Sequence, residues 1–306
     1  MAESPSPKPA AATAPTDSVL LLAPALFVLL WSTGWISARY IVGVVEPLTF
    51  LLWRFGFSAL VLAALVQLTG AGWPRNPREL AHLLVSGVFI QALYLGAVWW
   101  AVAHGVPAGL SGLIAALQPI FTALFAPLIL GEIISRRQWG GILLALAGIS
   151  LVLSPKLIGL DGAALKLAAA PIAINVVGMA AVTLGTFYQK RFIPTAHLLT
   201  STAFQNLGAL VALLPIAMLT ETLTMRWTPV TIAVMAWSVV GLSIGATLLF
   251  FWMIRRGAVS RAASLIYLMP PAVAVEAYLL FGEQLTTLQL VGMAITVIGV
   301  ALAVKR

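Results

Sequence analysis

The sequence predicts an all-α membrane protein with ten transmembrane helices, arranged as two inverted five-helix repeats with both termini in the cytoplasm. Three observations predict this class: the composition, the lengths of the apolar stretches, and a repeat at one constant offset. Of the 306 residues, 61% are hydrophobic and 8% are charged, whereas about a quarter of the residues of a soluble domain are charged. The chain therefore has too few polar side chains to cover a water-soluble surface.

Ten apolar stretches follow one another with short loops between them, each close to the roughly 20 residues that cross a bilayer. They lie at about 19–39, 47–69, 81–103, 107–130, 138–154, 165–189, 197–219, 229–254, 260–281 and 286–304. Residues 1–17 are rich in Ala, Pro and Ser and lack the basic start of a cleavable signal. We expect them to form a disordered cytoplasmic tail, and we expect the first apolar stretch to be retained as a span.

Lysine and arginine residues lie mainly on one side of these predicted spans. When the termini and the alternate loops are grouped, that side holds 12 of them and the other side holds 4, with Arg54 left inside a span. Positively charged loops stay in the cytoplasm, so this split places both termini there. The net charge of +8 is then a topology signal and gives no reason to expect nucleic-acid binding. We expect a multi-pass protein of the bacterial inner membrane.

One offset of 151 residues aligns the first half of the chain with the second. It places Gly34 on Gly185, Arg39 on Lys190, Pro119 on Pro270, Gly131-Glu132 on Gly282-Glu283, Gln138 on Gln289, Gly141 on Gly292 and Gly148 on Gly299. The sequence therefore predicts two repeat units, at 18–155 and 163–306. Five is an odd number of spans, so the second unit enters the membrane from the opposite side. Many secondary transporters share this plan and bind their substrates near the midplane between the repeats.

The starts of the fifth and tenth helices support this register. Ser135 to Gln138 and Thr286 to Gln289 have the S/T-x-x-Q pattern in which side chains cap a helix start. Gly131 and Gly282 can adopt the left-handed conformation that ends a helix. The glutamates that follow these glycines precede a helix amino terminus, where a carboxylate is stabilised. We interpret them as turn residues, with a gating or coupling role as the alternative.

The fifth and tenth helices also carry small residues at helical spacing. These residues are Gly141, Ala145, Gly148, Gly292, Thr296 and Gly299. Small residues let membrane helices approach closely. We interpret this face as a scaffold contact or a homodimer contact, and not as a substrate contact.

Arg54 and Glu276 are the ionisable residues predicted to lie inside spans. A charge near the bilayer centre costs at least about 2.5 kcal/mol, so such residues are functional candidates. Both lie roughly 9–10 Å below the predicted outer surface at about 1.5 Å per residue, a depth that permits a pair. A structural role and a role in gating stay open for both, and Glu276 is also a candidate for proton coupling.

Further candidates lie near the predicted midplane. Pro119 and Pro270 are repeat-related prolines that form a hinge, shape a cavity wall, or merely kink the helix for packing. The candidate substrate-binding residues are Trp31, Ser32, Gln91, Tyr94, Gln118, Asn175, Ser243 and Tyr267. No charged residue falls at the predicted centre, which disfavours phosphorylated cargo. Rings, hydroxyls and amides suit a neutral or zwitterionic solute.

Taken together, these residues resemble the EamA-type branch of the drug/metabolite transporter superfamily, and most of all its YddG-type exporters of aromatic amino acids. The resemblance rests on Trp31 to Arg39, on Pro47 to Phe55, and on the Pro, Gly-Glu, Gln and Gly positions between residues 119 and 148. It implies ten helices, cytoplasmic termini and a central cavity walled mainly by helices one, three, four, six, eight and nine. Ser32 departs from it where the family often has Gly, and Gln205 replaces Arg54 in the second repeat.

We therefore expect a secondary transporter that exports aromatic or neutral amino acids and related small metabolites by alternating access. Its expected partners are the small-molecule substrate and the lipid bilayer, and no cofactor or metal is expected, since the chain has no Cys and its three His are far apart. A drug or general metabolite exporter of the same fold is the alternative. A remote alternative is a rhomboid-like intramembrane serine protease built on Ser111, whose hydroxyl would need a base within about 3 Å.

Overall fold

The computed structural model describes residues 17–130, 135–157, 162–255 and 269–304, and the regular secondary structure in these ranges is helical. The helices are α1 (Asp17–Tyr40), α2 (Pro47–Thr69), α3 (Pro77–Ala103), α4 (Ala108–Ile114, continued as Leu117–Leu130), α5 (Arg136–Leu157), α6 (Gly162–Phe192), α7 (Leu198–Thr220), α8 (Pro229–Ala236, Trp237–Ala246 and Thr247–Arg255 without a break), α9 (Met269–Phe281) and α10 (Thr287–Val304).

Helices α2 to α8 each contain a stretch long and apolar enough to cross a membrane, which makes seven such helices among the described residues. Helices α9 and α10 are also apolar but shorter in the part that is described. The protein is thus a multi-pass, all-helical membrane protein. The count of ten spans and the cytoplasmic position of the termini stay predictions.

Helix starts and ends follow local sequence. In α5 the Ser135 hydroxyl accepts from the Gln138 N–H at 3.3 Å, and Gln138 Oε1 accepts from the Ser135 N–H at 2.8 Å. Thr286 and Gln289 form the same capping box at α10, so both predicted helix starts are confirmed. Gly282 ends α9 with φ +67°, as predicted, while Gly131 and Glu132 lie outside the described residues.

Helices pair across the two halves of the chain. Helix α2 packs on α7, α4 on α9 and α5 on α10, and each of these pairs joins two helices that the offset of 151 residues relates. Helix α3 packs on α6, and α1 packs on α8 in the equivalent way. Every helix is therefore held by a helix of the other half, and the space between the halves lies at the centre.

The small-residue faces of α5 and α10 pack on each other. A Cβ atom added at Gly141 would lie 2.6 Å from the Gly299 carbonyl oxygen, and one added at Gly148 would lie 2.7 Å from the Gly292 carbonyl oxygen. As numbers rise along α5 they fall along α10, so the two helices are antiparallel. The face is thus a contact within one chain, the first of the two predicted uses.

Helices α3 and α8 each contain a π-helical segment, at Val88–Leu93 and Trp237–Ala246. The offset of 151 residues maps the first segment onto 239–244, inside the second, so the two segments are repeat-related. In a π segment the backbone hydrogen bonds span one residue more than in an α-helix, so the turn is wider, and such segments are often found at functional sites. Both segments border the central cavity.

Candidate functional site

A central cavity of about 120 Å³ lies between the two halves. Among the described residues its walls come from α1, α2 and α3 of the first half and from α6, α7 and α8 of the second. Helices α2 and α7 thus take the places that the resemblance gave to helices four and nine.

Two pairs of lining residues are related by the repeat. Trp31 on α1 corresponds to Val182 on α6, and Gln91 on α3 corresponds to Leu242 on α8. Gln91 and Leu242 lie within the two π segments. The cavity therefore sits where the two halves meet as equivalents, the position at which inverted-repeat transporters bind their cargo.

Five of the predicted site residues line this cavity. They are Trp31, Arg54, Gln91, Tyr94 and Ser243. The Ser243 hydroxyl is already engaged, since it accepts from Ser58 Oγ at 2.9 Å and donates to the Ser238 carbonyl at 3.1 Å. The rings, the Gln91 amide and the Arg54 guanidinium are groups of this set that can meet a solute.

Arg54 makes the prediction of an uncharged centre wrong. Its side chain is 7% exposed and lies in the cavity wall, with the guanidinium carbon 5.7 Å from the centre of the Trp99 ring. Trp99 is itself buried and stacks on Phe50 with ring centres 5.1 Å apart. The cavity extends along α3 from Ile90 as far as Val98 and Trp99, so a residue predicted near the outer end still reaches it.

Ser32 and Glu276 lie outside the cavity lining and bind each other. The buried Ser32 hydroxyl is 2.6 Å from Glu276 Oε1, which joins α1 to α9. The pair that equal depth permitted between Arg54 and Glu276 is not formed: the hydrogen-bond partner of Glu276 is Ser32, and Arg54 rests against Trp99. Depth along a helix does not fix the direction in which a side chain points.

Asn175 and Gln118 also lie outside the cavity lining. Asn175 is fully buried and donates its amide N–H to Ser111 Oγ at 2.6 Å. An amide N–H cannot take a proton from a hydroxyl, so this contact does not supply Ser111 with the base that a serine protease needs. The Gln118 carbonyl accepts from the Thr122 hydroxyl within α4.

The two predicted hinge prolines lie in α4 and α9. Pro119 follows the interruption of α4 at residues 115–116, and Pro270 is the second residue of the described α9. Neither lines the central cavity among the described residues. Tyr267 lies outside the described residues.

Three glutamates tie helices together at the end of the bundle where α2 begins, which the predicted orientation places outside; we call this set the outer rim. Glu221, which follows α7, accepts from the backbone N–H of Leu48 at 2.9 Å and of Thr49 at 2.6 Å, and from the Thr49 hydroxyl. Glu46 accepts in return from the N–H and hydroxyl of Thr222. These bonds join α2 to α7.

Glu283 completes the outer rim in a way that the sequence did not predict. Its carboxylate accepts from the backbone N–H groups of Ala108 and Gly109, at the start of α4, and its Oε1 lies 3.6 Å from Arg39 Nε. A carboxylate at a helix amino terminus is stabilised by the helix dipole. Glu283 therefore caps a helix of the other half of the chain, where a role within its own turn was expected.

Sequence reasoning missed Trp35, Trp99 and the π segments. Trp35 is 3% exposed and lines the cavity from a position near the predicted outer end of its span. The family-like stretch from Trp31 to Arg39 contains it, so its ring could have been singled out. No local pattern marks the π segments. Among the described residues no three His, Asp or Glu side chains cluster as metal ligands.

Comparison with known proteins gives a family and several relatives. Residues 18–154 and 170–305 each match the EamA-like transporter family. The chain is 26% identical to the "Probable terminal-alkyne amino-acid exporter" of Streptantibioticus cattleyicolor, over 83% of this chain and 82% of the relative. It is 27% identical to the "Probable amino-acid metabolite efflux pump" of Escherichia coli, over 92% of this chain and 93% of the relative.

Two further matches cover nearly the whole chain. The "Uncharacterized transporter YvbV" of Bacillus subtilis is 27% identical over 94% of this chain and 91% of its own. A crystal structure covers 94% of this chain and 96% of its own with a TM-score of 0.66 at 20% sequence identity. That likeness shows a shared fold.

Proposed function

The chain belongs to the EamA-like transporter family, a branch of the drug/metabolite transporter superfamily, and from this premise we propose that it exports amino acids by alternating access. The two halves would rock about the central cavity and open it to one side of the membrane at a time. We propose further that the chain crosses the bacterial inner membrane ten times, with both termini in the cytoplasm.

The observation that carries this proposal is the cavity between the halves, lined by repeat-related residues and by the rings of Trp31, Trp35, Tyr94 and Trp99. Aromatic faces and a few polar groups suit a small solute with an apolar side chain. The names of two relatives, an amino-acid exporter and an amino-acid metabolite efflux pump, favour amino acids among such solutes.

The size of the cavity bears on which amino acid fits. Its volume of about 120 Å³ is below that of a cavity of about 150 Å³ that holds benzene. An aromatic amino acid would therefore need the walls to move apart, whereas a short aliphatic one needs less movement. Both belong in the first test.

The test is flux into proteoliposomes that hold the purified full chain. Labelled phenylalanine, tryptophan and leucine are offered with and without a proton gradient, and saturable movement of at least one is expected. Gly34→Leu should abolish it, because Gly34 lines the cavity and a Cβ atom added there would already lie 4.0 Å from Leu242 Cδ1 across it. Gly140→Leu is the matched control, since a Cβ there meets no atom within 4 Å.

The outcome that overturns the proposal is the absence of movement of all three amino acids by a folded chain. A drug exporter of the same fold would instead protect growing cells against cationic dyes. That protection, without amino-acid flux, would establish the alternative.

A further inference from the structure

Three nitrogen donors in the cavity wall have no hydrogen-bond acceptor among the residues that the structure describes. They are Nε and Nη1 of Arg54 and Nε1 of Trp35, and all three atoms are buried. Both side chains line the central cavity, at 7% and 3% exposure. A buried donor without a partner costs free energy, and a charged donor costs more, so a structure keeps such groups where something else binds them.

We infer that Arg54 and Trp35 bind the carboxylate of the cargo. A carboxylate has two acceptor oxygens and no donor, which matches a site whose unpaired atoms are all donors. In the planar guanidinium, Nη2 forms a fork either with Nε or with Nη1, and each of these forks fits the two oxygens of a carboxylate. Such charge-assisted bonds are strong. The inference rests on the proposed function for one point, that the carboxylate belongs to a transported amino acid.

No protein carboxylate neutralises Arg54 within the described part of the chain. Arg54 is the only charged side chain among the described residues that line the cavity. Glu276 is bonded to Ser32, and the glutamates of the outer rim are held by helix starts. The counter-charge for the guanidinium therefore has to come with the cargo.

In the second repeat, the residue equivalent to Arg54 has hydrogen-bond partners within the protein. Gln205 occupies the place of Arg54, and its amide nitrogen donates to Ser86 Oγ and to Gln189 Oε1, each at 3.2 Å. The same position is thus a satisfied structural amide in one half and an unsatisfied cation in the other. The difference assigns a ligand-binding role to Arg54 rather than a scaffold role.

The rest of the cavity suits the other parts of an amino acid. The faces of Trp31 and Tyr94 can attract an ammonium group through cation–π interactions, and they can also pack on an apolar side chain. A purely cationic dye would instead be repelled by Arg54. The site therefore favours solutes that carry a carboxylate over solutes that carry only a positive charge.

The test compares an acid with its amide on the purified full chain. 4-Methylpentanoate and 4-methylpentanamide differ in the carboxylate alone, and their short aliphatic chain suits a cavity of about 120 Å³. Each is titrated while thermal unfolding is followed, since a ligand stabilises the state that it binds. The acid should bind at least about tenfold more tightly than the amide, the scale of a charge-assisted hydrogen bond. Equal affinities for the wild-type chain would overturn the inference.

Variants locate the effect. Arg54→Gln should bind the acid and the amide equally, and Arg54→Lys, which keeps the charge but lacks the fork, should lose part of the preference. Arg136→Gln removes the same group from an exposed position at the start of α5 and should keep the full preference. An undiminished preference in a folded Arg54→Gln chain would overturn the inference, and if that chain does not fold, Arg54→Lys decides in the same way.

The two proposals fail separately. If the acid binds through Arg54 while no labelled amino acid moves in proteoliposomes, the carboxylate site stands and the proposed cargo is wrong. If amino acids move while the acid and the amide bind equally, the proposed function stands and the carboxylate site is wrong.

Discussion

Ser32 and Glu276 form a hydrogen bond whose direction depends on whether Glu276 is protonated. The Ser32 hydroxyl has one hydrogen but lies 3.0 Å from the Leu29 carbonyl and 2.6 Å from Glu276 Oε1. Both bonds form at full strength only when Glu276 is protonated and donates to Ser32 Oγ, because the serine hydrogen is then free for Leu29. A change in protonation at Glu276 therefore changes the hydrogen bonds that Ser32 makes in α1.

Removing the serine hydroxyl should destabilise the chain. Ser32→Ala leaves the half-buried Glu276 carboxyl without its partner and should lower the free energy of unfolding by about 1–3 kcal/mol. Glu276→Gln should be nearly neutral, since the glutamine amide can donate to Ser32 Oγ. Thermal unfolding in detergent measures both. Ser150→Ala is the control, because that exposed hydroxyl bonds only within its own helix.

Residue chemistry explains which site residues could be predicted. Trp31, Gln91 and Tyr94 line the cavity. Polar and amphipathic aromatic side chains deep in a helix bundle are disfavoured against lipid, so they face the interior. Ser32 and Asn175 have the same type and depth, yet each is bonded to a residue far away in sequence. Whether such a side chain binds a solute or another helix depends on rotation about the helix axis, which a single sequence does not give.

At the scale of elements, the contact between α5 and α10 depends on glycine. A Cβ atom at Gly141 would lie 2.4 Å from the backbone nitrogen of Ala303, closer than atoms pack. Neighbouring Gly140 has open space on the same helix. The sequence predicted this face correctly because close packing of membrane helices requires small residues, whichever helix is the partner.

Replacing Gly141 or Gly140 by alanine should change the free energy of unfolding in different ways. Gly141→Ala should lower the free energy of unfolding by at least about 1–3 kcal/mol, because α5 and α10 must move apart. Gly140→Ala should leave it unchanged or raise it by up to about 1 kcal/mol through helix propensity. Thermal unfolding of the two variants side by side checks this, and equal effects would mean that the contact does not limit stability.

The π segments are elements that no sequence pattern predicted. Their apolar composition equals that of the regular helix around them, and the extra residue of a wide turn leaves no periodic trace over so short a stretch. Their repeat-related positions in α3 and α8 place them on the cavity from both sides. We expect them to set the width of the cavity.

Deleting one residue from a π segment should affect function more than folding. Removal of Leu93, which is exposed, lets the segment close into a regular helix while the flanking turns keep their faces. Flux should fall at least about tenfold while the chain still folds. Deleting the exposed Ala64 from regular α2 should unfold it, because all later residues rotate by about 100°. Full flux without Leu93 would contradict the role of the segment.

At the scale of the whole molecule, the outer rim joins the two halves at one end. Glu46, Glu221 and Glu283 each accept two or more hydrogen bonds, and each bond crosses from one half to the other. Bonds to a charged group contribute about 1.5–3 kcal/mol each. Under the proposed alternating access, opening this end requires breaking these bonds, so we expect the outer rim to favour its closed form.

Weakening the outer rim should expose the cavity from that end. The chain has no Cys, so Val98→Cys places one thiol in the cavity wall. A membrane-impermeant maleimide should label it at least about tenfold faster when Glu221→Ala and Glu283→Ala are added, because each lost bond shifts the equilibrium toward the open form. Glu79→Ala removes a half-buried glutamate at the start of α3, at the other end of the bundle, and is the control. Unchanged labelling would show that other contacts keep this end closed.

The antiparallel contact of α5 with α10 also bears on how such a protein can be encoded. Gly141 meets Gly299 as Gly148 meets Gly292, so each helix presents the same face to the other in reverse direction. A five-helix chain would make this contact with a second copy of itself inserted upside down. The interface therefore needs no peptide link between the two copies. The protein has the form expected of a gene that duplicated and fused. The two copies then came to differ, since one has Arg54 where the other has Gln205.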